Sequence, residues 1–570
     1  MLTDQTPGTS LEERMTFDDR LLALQKPKRE GRAAGVTGAQ WGDEGKGKVV
    51  DLFSKDADLV VRYQGGPNAG HTIVFTSQDV SGELIEERYI LHQIPSGAAD
   101  LETKIVLADG MAIDLDGLLG EMDIMPERFE LNERLYVSLN ANLITPMHKA
   151  GDVKREKDGN GVGSTRKGMG DCYEARPGRR ALTLGDFIHQ PHKALEIIQQ
   201  QIDHSGYTLQ TAAQVFEEMN ESVIQLRERI GDKITNTSKL INEAIDNDEN
   251  ILYEGAQGVL LDVYFGTHPY VTSSNTVSGG ICVAAGVSPT SIDAIVGVVK
   301  LVQTRVGDGP QPAQLVNEQR QKDEIMNFVY ENSGLSAEEF AELEADKQNE
   351  IRSEWTQQFT LPEDYQFIID NLIEADKFVS GESIDSQLEE KLLDVLGDEN
   401  KSEMFDHILG MYLTTQAHEY GATTGRPRRT AKLDLVALKH SVEAGGITSL
   451  AFTKLDCLGD LPYIDVCIGY EIDGVERTDF SRHELHKFEP DANGDVHAKA
   501  IYHRMEGFSK EDVLNASTFE ELPDAAKEYL LFVAEYVGRP IDVISVGPAR
   551  EQTIVLHNRL TNEGMYKDAA

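Results

Sequence analysis

Short apolar runs recur along the chain, and most of them are followed by glycine or polar residues. Residues 34–39 form the first run and lead into a glycine-rich turn, after which a helix-like stretch over 46–53 precedes a second run at 57–63. Apolar runs of about four to eight residues are typical of strands buried on both faces. Runs of the same kind cover residues 104–108, 251–253, 294–301, 449–453 and 541–545. The pattern predicts an α/β fold with a mostly parallel central sheet and flanking helices.

Two parts of the chain depart from this pattern. Residues 1–32 are charged and rich in turn-forming residues, which is typical of a flexible extension. Residues 316–418 contain 25 acidic and 7 basic residues and have helical apolar spacing. We interpret this stretch as an acidic, mainly helical insertion, either a surface decoration or a module for regulation or oligomerisation. The α/β body would then consist of residues 33–315 and 419–570.

Acidic residues dominate the whole chain, with 97 against 54 basic residues and a formal net charge of −43. A surface of that sign repels nucleic acids and anionic membranes, so neither is expected as a partner. The four cysteines form no CxxC pair, the first residues lack the apolar core of a signal peptide, and no apolar run reaches the roughly 18 residues of a membrane span. We therefore expect a cytoplasmic protein with reduced thiols.

The turn after the first predicted strand has the composition of a phosphate-binding loop. Residues 42–48, GDEGKGK, fit the pattern G-x-x-x-x-G-K. Val49 follows, where a P-loop normally has the Ser or Thr that holds Mg²⁺, so Asp43 is the natural metal ligand instead. Taken alone, the segment is also compatible with a tightly packed strand-to-helix turn.

A second loop of small residues, 65–72 (GGPNAGHT), follows the second predicted strand. His71 within it is a candidate for phosphate contact or general acid catalysis, although an isolated histidine is more often structural.

Together, residues 38–48 (GAQWGDEGKGK) and 65–72 closely resemble the adenylosuccinate synthetase family, which is similar in fold to P-loop GTPases. The resemblance covers roughly residues 33–315 and 419–557. Further segments that resemble the family follow in one order: GSTRKGMG at 163–170, EGAQG at 254–258, YVTSSN at 270–275, TRVG at 304–307, GATTGRPRR at 421–429, TKLD at 453–456 and SVGP at 545–548.

The resemblance implies a ligase of AMP biosynthesis that converts IMP, L-aspartate and GTP into adenylosuccinate, GDP and phosphate through a 6-phosphoryl-IMP intermediate. It implies Asp43 as the catalytic base for the N1 proton and His71 as the acid that contacts O6. It also implies Mg²⁺ as cofactor, held by Asp43 and the carbonyl group of Gly70.

The matching segments also imply the substrate contacts. GTP binding is implied for Gly42, Glu44, Gly45, Lys46, Gly47, Lys48, Gly70, Thr72, Arg428, Lys454, Asp456, Ser545 and Gly547. IMP binding is implied for Asp43, Asn68, Ala69, Gly70, His71, Thr165, Arg179, Gln257, Thr272 and Arg426. Aspartate binding is implied for Thr423, Thr424 and Arg426, because a guanidinium can grip a carboxylate with two hydrogen bonds. A carboxylate such as that of Asp456 can accept both N1–H and the amino group of guanine, which favours GTP over ATP. In the family, the arginine at position 179 reaches the neighbouring subunit's site, which implies a homodimer.

Some positions differ from the family pattern and bear on the choice of monophosphate: Asp171, Lys167, Pro427 and the pair Tyr264 and Phe265. One alternative is therefore a related enzyme that uses dGMP, although the retained Asp43 argues against it. A catalytically silent nucleotide-binding paralogue is a second alternative, against which the full set of candidate residues argues. A switch-type GTPase is a third, and Val49 argues against it.

Overall fold

A computed structural model describes residues 31–68, 70–78, 84–158, 161, 163, 165–305, 307–343, 345–382, 384–397, 401–420, 425, 427–491 and 495–564. The strands, β1 to β21 in chain order, are Ala33–Gly38, Leu59–Arg62, His71–Gln78, Leu84–Leu91, Lys104–Leu107, Ala112–Ile113, Leu135–Ser138, Asn142–Leu143, Ile234–Thr235, Ile251–Gly258, Ala294–Lys300, Gln303–Arg305, Arg429–Ala431, Ser449–Thr453, Tyr463–Ile472, Val475–Arg477, Ala498–Glu506, Ile541–Ser545, Thr553–Val555, His557–Asn558 and Glu563–Gly564.

The α-helices, α1 to α20 in chain order, are Lys46–Ser54, Leu115–Ile124, Leu131–Arg134, Pro146–Lys157, Met169–Ala175, Leu184–His189, Pro191–Ser205, Ala212–Ile230, Thr237–Asp246, Gly279–Ala285, Glu318–Ser333, Ala337–Ala341, Ala345–Thr356, Glu363–Asp370, Leu372–Val379, Ser386–Leu396, Lys401–Gln416, Leu435–Gly445, Lys510–Asn515 and Asp524–Val537. Short 3₁₀ turns cover Ser96–Ala99, Glu127–Phe129, Gly231–Lys233, Val259–Leu261, Pro289–Ser291, Asp456–Leu458 and Arg482–Phe488. Among the described residues, no helix is long and apolar enough to cross a membrane.

Ten strands form the central sheet, in the order β19-β18-β14-β11-β1-β10-β2-β5-β7-β9. Every pairing in it is parallel except that of β18 with β19. Each of the apolar runs noted above coincides with one of its strands, so the predicted α/β fold is confirmed.

The two faces of the sheet are both covered, which explains why its strands are mostly apolar. Along β11, Ile295 and Val299 pack into one hydrophobic core, whereas Val296 and Val298 pack into a second core on the opposite face. Successive side chains of a strand point to opposite faces, so a strand between two helical layers has no polar side.

The carboxyl ends of the parallel strands share one edge of the sheet, where ligands bind in folds of this type. The loops after β1, β2, β14 and β18 carry the phosphate-loop candidate, the loop of His71 and the two predicted guanine segments, respectively. These four strands lie within a run of six neighbouring strands, β18-β14-β11-β1-β10-β2, although their loops are far apart in the sequence.

The acidic stretch is helical, as its periodicity predicts, and α11 to α17 lie within it. Its apolar faces pack into the core that also contains β11, with Ile325, Ile368, Leu392 and Met411 all fully or almost fully buried. The stretch is therefore packed against the body. Residues 1–30 lie outside the described residues, and the proposed boundaries at 32, 315 and 418 stay predictions.

Candidate active site

The loop between β1 and α1 is shaped by residues with positive φ. Gly42 and Gly45 have φ of 90° and 88°, and Asp43 between them has φ of 56°. Gly45 precedes the first residue of α1 and has no side chain to cap the helix. The free N–H groups at the start of α1 can therefore bind an anion, and the helix dipole favours it.

Glu44 supports this loop from inside the protein. Its fully buried carboxylate accepts hydrogen bonds from the backbone N–H groups of Gln40 and Gly42, at 3.1 and 2.8 Å. It also forms an ion pair with Lys46 at 2.6 Å. The side chain of Glu44 does not line the cleft described below, so any contact between Glu44 and a phosphate would come from its backbone.

Lys48 connects the loop to the carboxyl end of β18. Its Nζ donates to Ser545 Oγ and to the carbonyl of Gly547, both at 2.7 Å, and to the carbonyl of Gln552 at 3.1 Å. Burial lowers the pKa of Lys48 to about 8, although nearby Asp456 opposes the shift. Lys48 thus contacts the predicted guanine segment after β18 and interacts electrostatically with Asp456 of the segment after β14.

The side chain of Asp43 is partly exposed and lies beside Arg428. Its Oδ2 lies 2.9 Å from Nε of Arg428, and 40% of the Asp43 side chain is exposed. Burial within the loop raises the pKa of Asp43, but Arg428, Lys300 and Lys46 together outweigh burial and lower it below its ordinary value. The carboxylate is therefore ionised at neutral pH.

His71 is held between a carbonyl and a guanidinium group. Its Nε2 lies 2.9 Å from the carbonyl oxygen of Ile94, and its Nδ1 lies 3.2 Å from Arg62. Because a carbonyl oxygen accepts but never donates, Nε2 carries the proton and Nδ1 accepts from Arg62. Burial, reinforced by Arg62, lowers the pKa of His71 well below its ordinary value, so the ring is neutral at pH 7.

A buried ion pair fixes the arginine beside His71. The guanidinium of Arg62 lies 2.8 Å from Glu254, which also accepts the backbone N–H of Ser96 at 2.8 Å. Sequence reasoning gave neither residue a role, although Glu254 begins the EGAQG segment. Arg62 ends an apolar strand, and an arginine in such a position is the signal that could have identified it.

These groups surround one cleft of about 2130 Å³ at the carboxyl edge of the sheet. The candidate residues that line it are Gly42, Asp43, Gly45, Lys46, Gly47, Lys48, Asn68, Gly70, His71, Thr165, Gln257, Thr272, Arg428 and Lys454. Five other candidates do not line it: Glu44, Arg179, Asp456, Ser545 and Gly547. Thr72 lies in β3, next to the loop. Ala69, Thr423, Thr424 and Arg426 lie outside the described residues.

The cleft also contains charged residues that sequence reasoning did not select. Lys300 and Glu419 form a buried ion pair at 2.8 Å, and Glu419 lies on the wall of the cleft. Arg155, Lys322 and Arg352 line it as well. These residues have no local sequence signal, because the fold brings them together from distant segments.

The structure shows the surroundings of the residues that differ from the family pattern. Asp171, an acidic residue beside a predicted phosphate loop, forms an ion pair with Arg155, which neutralises its charge. Lys167 and Pro427 line the cleft. Tyr264 and Phe265 are 69% and 43% exposed, and Tyr264 lines the cleft.

The residues present suit a magnesium ion. Mg²⁺ binds hard oxygen donors and usually takes one or two carboxylates together with substrate phosphates and water. The carboxylate of Asp43 faces the same cleft as Gly70 and the start of α1. No cluster of three or more metal-ligating side chains occurs in the part of the chain that the structure describes, so substrate oxygens and water would complete the coordination.

Comparisons with known proteins agree with this geometry. The sequence model of the family described as adenylosuccinate synthetase matches residues 35–334 and 395–554. An adenylosuccinate synthetase of Thermodesulfovibrio yellowstonii is 33% identical over 530 residues, which cover 92% of this chain and 99% of that protein. One from Caldanaerobacter subterraneus subsp. tengcongensis is 35% identical, with coverage of 92% and 99%. The solved structure of fully ligated adenylosuccinate synthetase from Plasmodium falciparum superposes with a TM-score of 0.66 at 27% identity, covering 92% of this chain and all of the other.

Proposed function

This chain belongs to the adenylosuccinate synthetase family, ligases of AMP biosynthesis, and on that premise we propose that it joins L-aspartate to IMP with GTP as the energy source. In the first step, O6 of IMP attacks the γ-phosphorus of GTP, GDP leaves, and 6-phosphoryl-IMP forms. In the second step, the amine of aspartate attacks C6 and phosphate leaves, which gives adenylosuccinate. The observation that carries the proposal is the single cleft that contains the phosphate loop, Asp43 and His71.

Asp43 is the base of the first step. Its carboxylate takes the proton from N1, and the electron pair released makes O6 nucleophilic. Arg428, Lys300 and Lys46 keep Asp43 ionised, which is the form that accepts a proton. When bound, Mg²⁺ would be held by Asp43 and the carbonyl of Gly70 and would neutralise charge on the phosphate oxygens.

His71 is the hydrogen-bond donor to O6 and to the transferring phosphoryl group. The neutral tautomer that Arg62 and Ile94 select carries its proton on Nε2, the atom that can donate. On substrate binding, this N–H exchanges the carbonyl of Ile94 for the substrate oxygen. Lys46 and the backbone N–H groups at the start of α1 stabilise the charge that develops on the phosphoryl oxygens.

Asp456 and Lys454 recognise the guanine base in this proposal. Lys454 follows β14, lines the cleft and is fixed by a hydrogen bond of 2.8 Å from its Nζ to the carbonyl of Ala417. Asp456 begins the next turn and acts electrostatically on Lys48 of the phosphate loop. The base end and the phosphate end of a nucleotide would thus be bound by adjacent segments.

We expect Asp456→Asn to lower the preference for GTP over ATP, measured as the ratio of kcat/KM values, by about 100-fold. The substitution replaces an acceptor of two N–H groups by an amide that must present one donor to guanine. Asp460→Asn, which changes an exposed aspartate four residues further on, is the matched control and should leave the ratio unchanged. An unchanged ratio in Asp456→Asn would remove Asp456 from guanine recognition.

Thr165, Gln257 and Thr272 hold the monophosphate together with an arginine of a second subunit. Arg179 is exposed, has φ of 58° and lies away from the cleft of its own chain, which supports a role across a homodimer interface. Arg179 lies four residues after α5, the helix that begins in the predicted monophosphate segment, and its side chain is exposed.

Mixing two inactive variants tests this sharing of sites. Asp43→Asn and Arg179→Ala proteins, unfolded and refolded together, should recover up to about a quarter of the wild-type activity, because random pairing makes half of the protein mixed dimers in which one of the two sites is intact. Each variant refolded alone is the control. A mixture no more active than the two controls would mean that Arg179 acts within its own subunit.

The overall proposal is tested by product formation in the presence of GTP, IMP and L-aspartate, with each one omitted in turn. Loss of phosphate release on omission of any substrate is the expected result. Preference for dGMP over IMP would favour the dGMP-dependent alternative. Absence of aspartate-dependent phosphate release would favour a catalytically silent nucleotide-binding protein.

A further inference from the structure

A lysine with almost no access to solvent ends β11, the neighbour of β1 in the central sheet. The Nζ of Lys300 lies 2.8 Å from Glu419 Oε2 and also contacts Thr304 Oγ1, which itself lies 3.3 Å from Glu419 Oε2. All three residues are buried. Because a buried charge is stable only beside a charged or hydrogen-bonding partner, the lysine and the glutamate depend on each other. We call Lys300, Thr304 and Glu419 the Lys300 cluster.

The backbone of Lys300 fixes the Lys300 cluster to the phosphate loop. Its N–H donates to Gln40 Oε1 at 2.8 Å, and its carbonyl accepts from Gln40 Nε2 at 3.1 Å. The N–H of Gln40 donates in turn to Glu44, the buried carboxylate that supports the loop, at 3.1 Å. The position of Lys300 is therefore set relative to the loop that carries Asp43.

Glu419 connects the Lys300 cluster to the arginine that contacts the proposed base. Its backbone carbonyl accepts the N–H of Arg428 at 2.8 Å, and Nε of Arg428 lies 2.9 Å from Asp43 Oδ2. Next to this hydrogen bond, Tyr420 and Pro427 form an antiparallel bridge. Glu419 and Arg428 thus lie side by side at the two ends of residues 420–427, the part of the chain that contains the predicted aspartate contacts.

Thr304 restrains the chain on the other side of Arg428. It lies in β12, where it pairs with Thr430 of the antiparallel β13, and β13 begins directly after Arg428. The carbonyl of Arg428 accepts from Gln321 Nε2 at 3.2 Å. Both backbone polar groups of Arg428 are therefore bound, and the Lys300 cluster restrains the residue that binds its N–H as well as the strand that follows it.

We propose that Glu419, held by Lys300 and Thr304, is a positioning residue that keeps Arg428 in contact with Asp43. The inference rests on the proposed function, in which Asp43 is the base and the segment before Arg428 binds aspartate. A charge-assisted hydrogen bond in a site without water is strong and restricts the motion of both partners. Loss of the charge of Glu419 would leave Lys300 buried without a counter-ion, release the carbonyl that holds Arg428 and separate the ends of residues 420–427.

A double-mutant cycle between Glu419 and Arg428 tests this role in the full-length enzyme. Glu419→Gln should lower kcat/KM for aspartate by about 10- to 100-fold in the wild-type background, the effect of one hydrogen bond to a charged group. If Glu419 acts through Arg428, the same substitution should have less than about a twofold effect in an Arg428→Ala background. A residue that only stabilises the fold would produce the same fold-change in both backgrounds.

Asp465→Asn is the matched control for loss of a buried charge. The side chain of Asp465 is 8% exposed, pairs with Arg504 at 2.8 Å and does not line the cleft. Asp465→Asn should lower the temperature of unfolding and leave kcat/KM for aspartate within about twofold of the wild type. Comparison of the two variants separates a loss of stability from a loss of positioning.

Thr304→Val provides a second variant that keeps both charges of the Lys300 cluster. It removes one neutral hydroxyl from Glu419, so it should lower kcat/KM for aspartate by about 2- to 10-fold, again only when Arg428 is present. Unchanged kcat/KM in both Glu419→Gln and Thr304→Val would overturn the inference. Equal effects with and without Arg428 would overturn it too, in favour of a direct contact between Glu419 and substrate or a purely structural role. A wild type without aspartate-dependent turnover would instead overturn the proposed function, and the inference with it.

Discussion

Replacement of Asp43 by asparagine should lower kcat by about 10³- to 10⁴-fold, the upper part of the range that a positioned general base contributes. The amide is similar in size and can still contact Arg428, but it cannot take the N1 proton of the purine. GTP should still bind, because the start of α1 and Lys46 remain in place. Steady-state turnover and a separate titration with GTP measure the two effects.

The surface variant Asp123→Asn is the control for loss of a carboxylate. Asp123 is 62% exposed and pairs with Arg229 at the surface, so its replacement should leave kcat unchanged. Near-normal turnover in Asp43→Asn would show that another group is the base. Because the pKa of Asp43 is lowered, its protonation should not limit the wild-type rate at any pH above its ordinary value near 3.8.

Replacement of His71 by asparagine should lower kcat by about 10²- to 10³-fold. The ring donates from a neutral Nε2–H, and an asparagine side chain is too short to reach the same oxygen. The loss belongs to the first step, so scrambling of oxygen between the β–γ bridge and the β-phosphoryl group of labelled GTP should slow equally. That exchange needs IMP but not aspartate, and it therefore reports phosphoryl transfer alone.

The pH dependence separates this role of His71 from a role as a charged group. Burial and Arg62 keep the pKa of His71 well below 6.5, so the neutral donor is present at all pH values around neutrality. No loss of activity assignable to His71 should occur between pH 8 and about 6.5. If the wild-type rate rose as the pH fell through 6.5 and the rate of His71→Asn did not, the role of His71 as a neutral donor would be contradicted. His204→Ala, on the exposed surface of α7, is the matched control.

Much of the fold could be predicted from local pattern because parallel strands between two helical layers are apolar on both faces. For this reason, the apolar runs at 449–453 and 541–545 have the same first and last residues as β14 and β18. Asp43 and His71 could be selected as candidates because glycine-rich loops after strands have a recognisable composition, and both residues line the cleft. Such signals depend only on residues that are close together in the sequence.

The rest of the site depends on contacts between distant residues. Arg62 and Glu254 are separated by 192 positions, and Lys300 and Glu419 by 119, so no local pattern predicts either pair. The resemblance implies Glu44 as a GTP-binding residue, and its carboxylate accepts hydrogen bonds inside the loop, so a contact with GTP would come from its backbone. The close approach of Gly425 to the backbone of Arg352 in α13 could not be predicted either, because an acidic helical stretch normally suggests a solvated surface.

The hydrogen bond from Lys48 to Ser545 has a consequence for how the protein is made. It joins residues 497 positions apart, near the two ends of the chain. A growing polypeptide displays the phosphate loop long before β18 leaves the ribosome, and until β18 joins the sheet the ammonium of Lys48 lacks its acceptors. On the proposed function, we therefore expect tight nucleotide binding only late in folding, and chains that stop short of residue 545 should not bind nucleotide tightly.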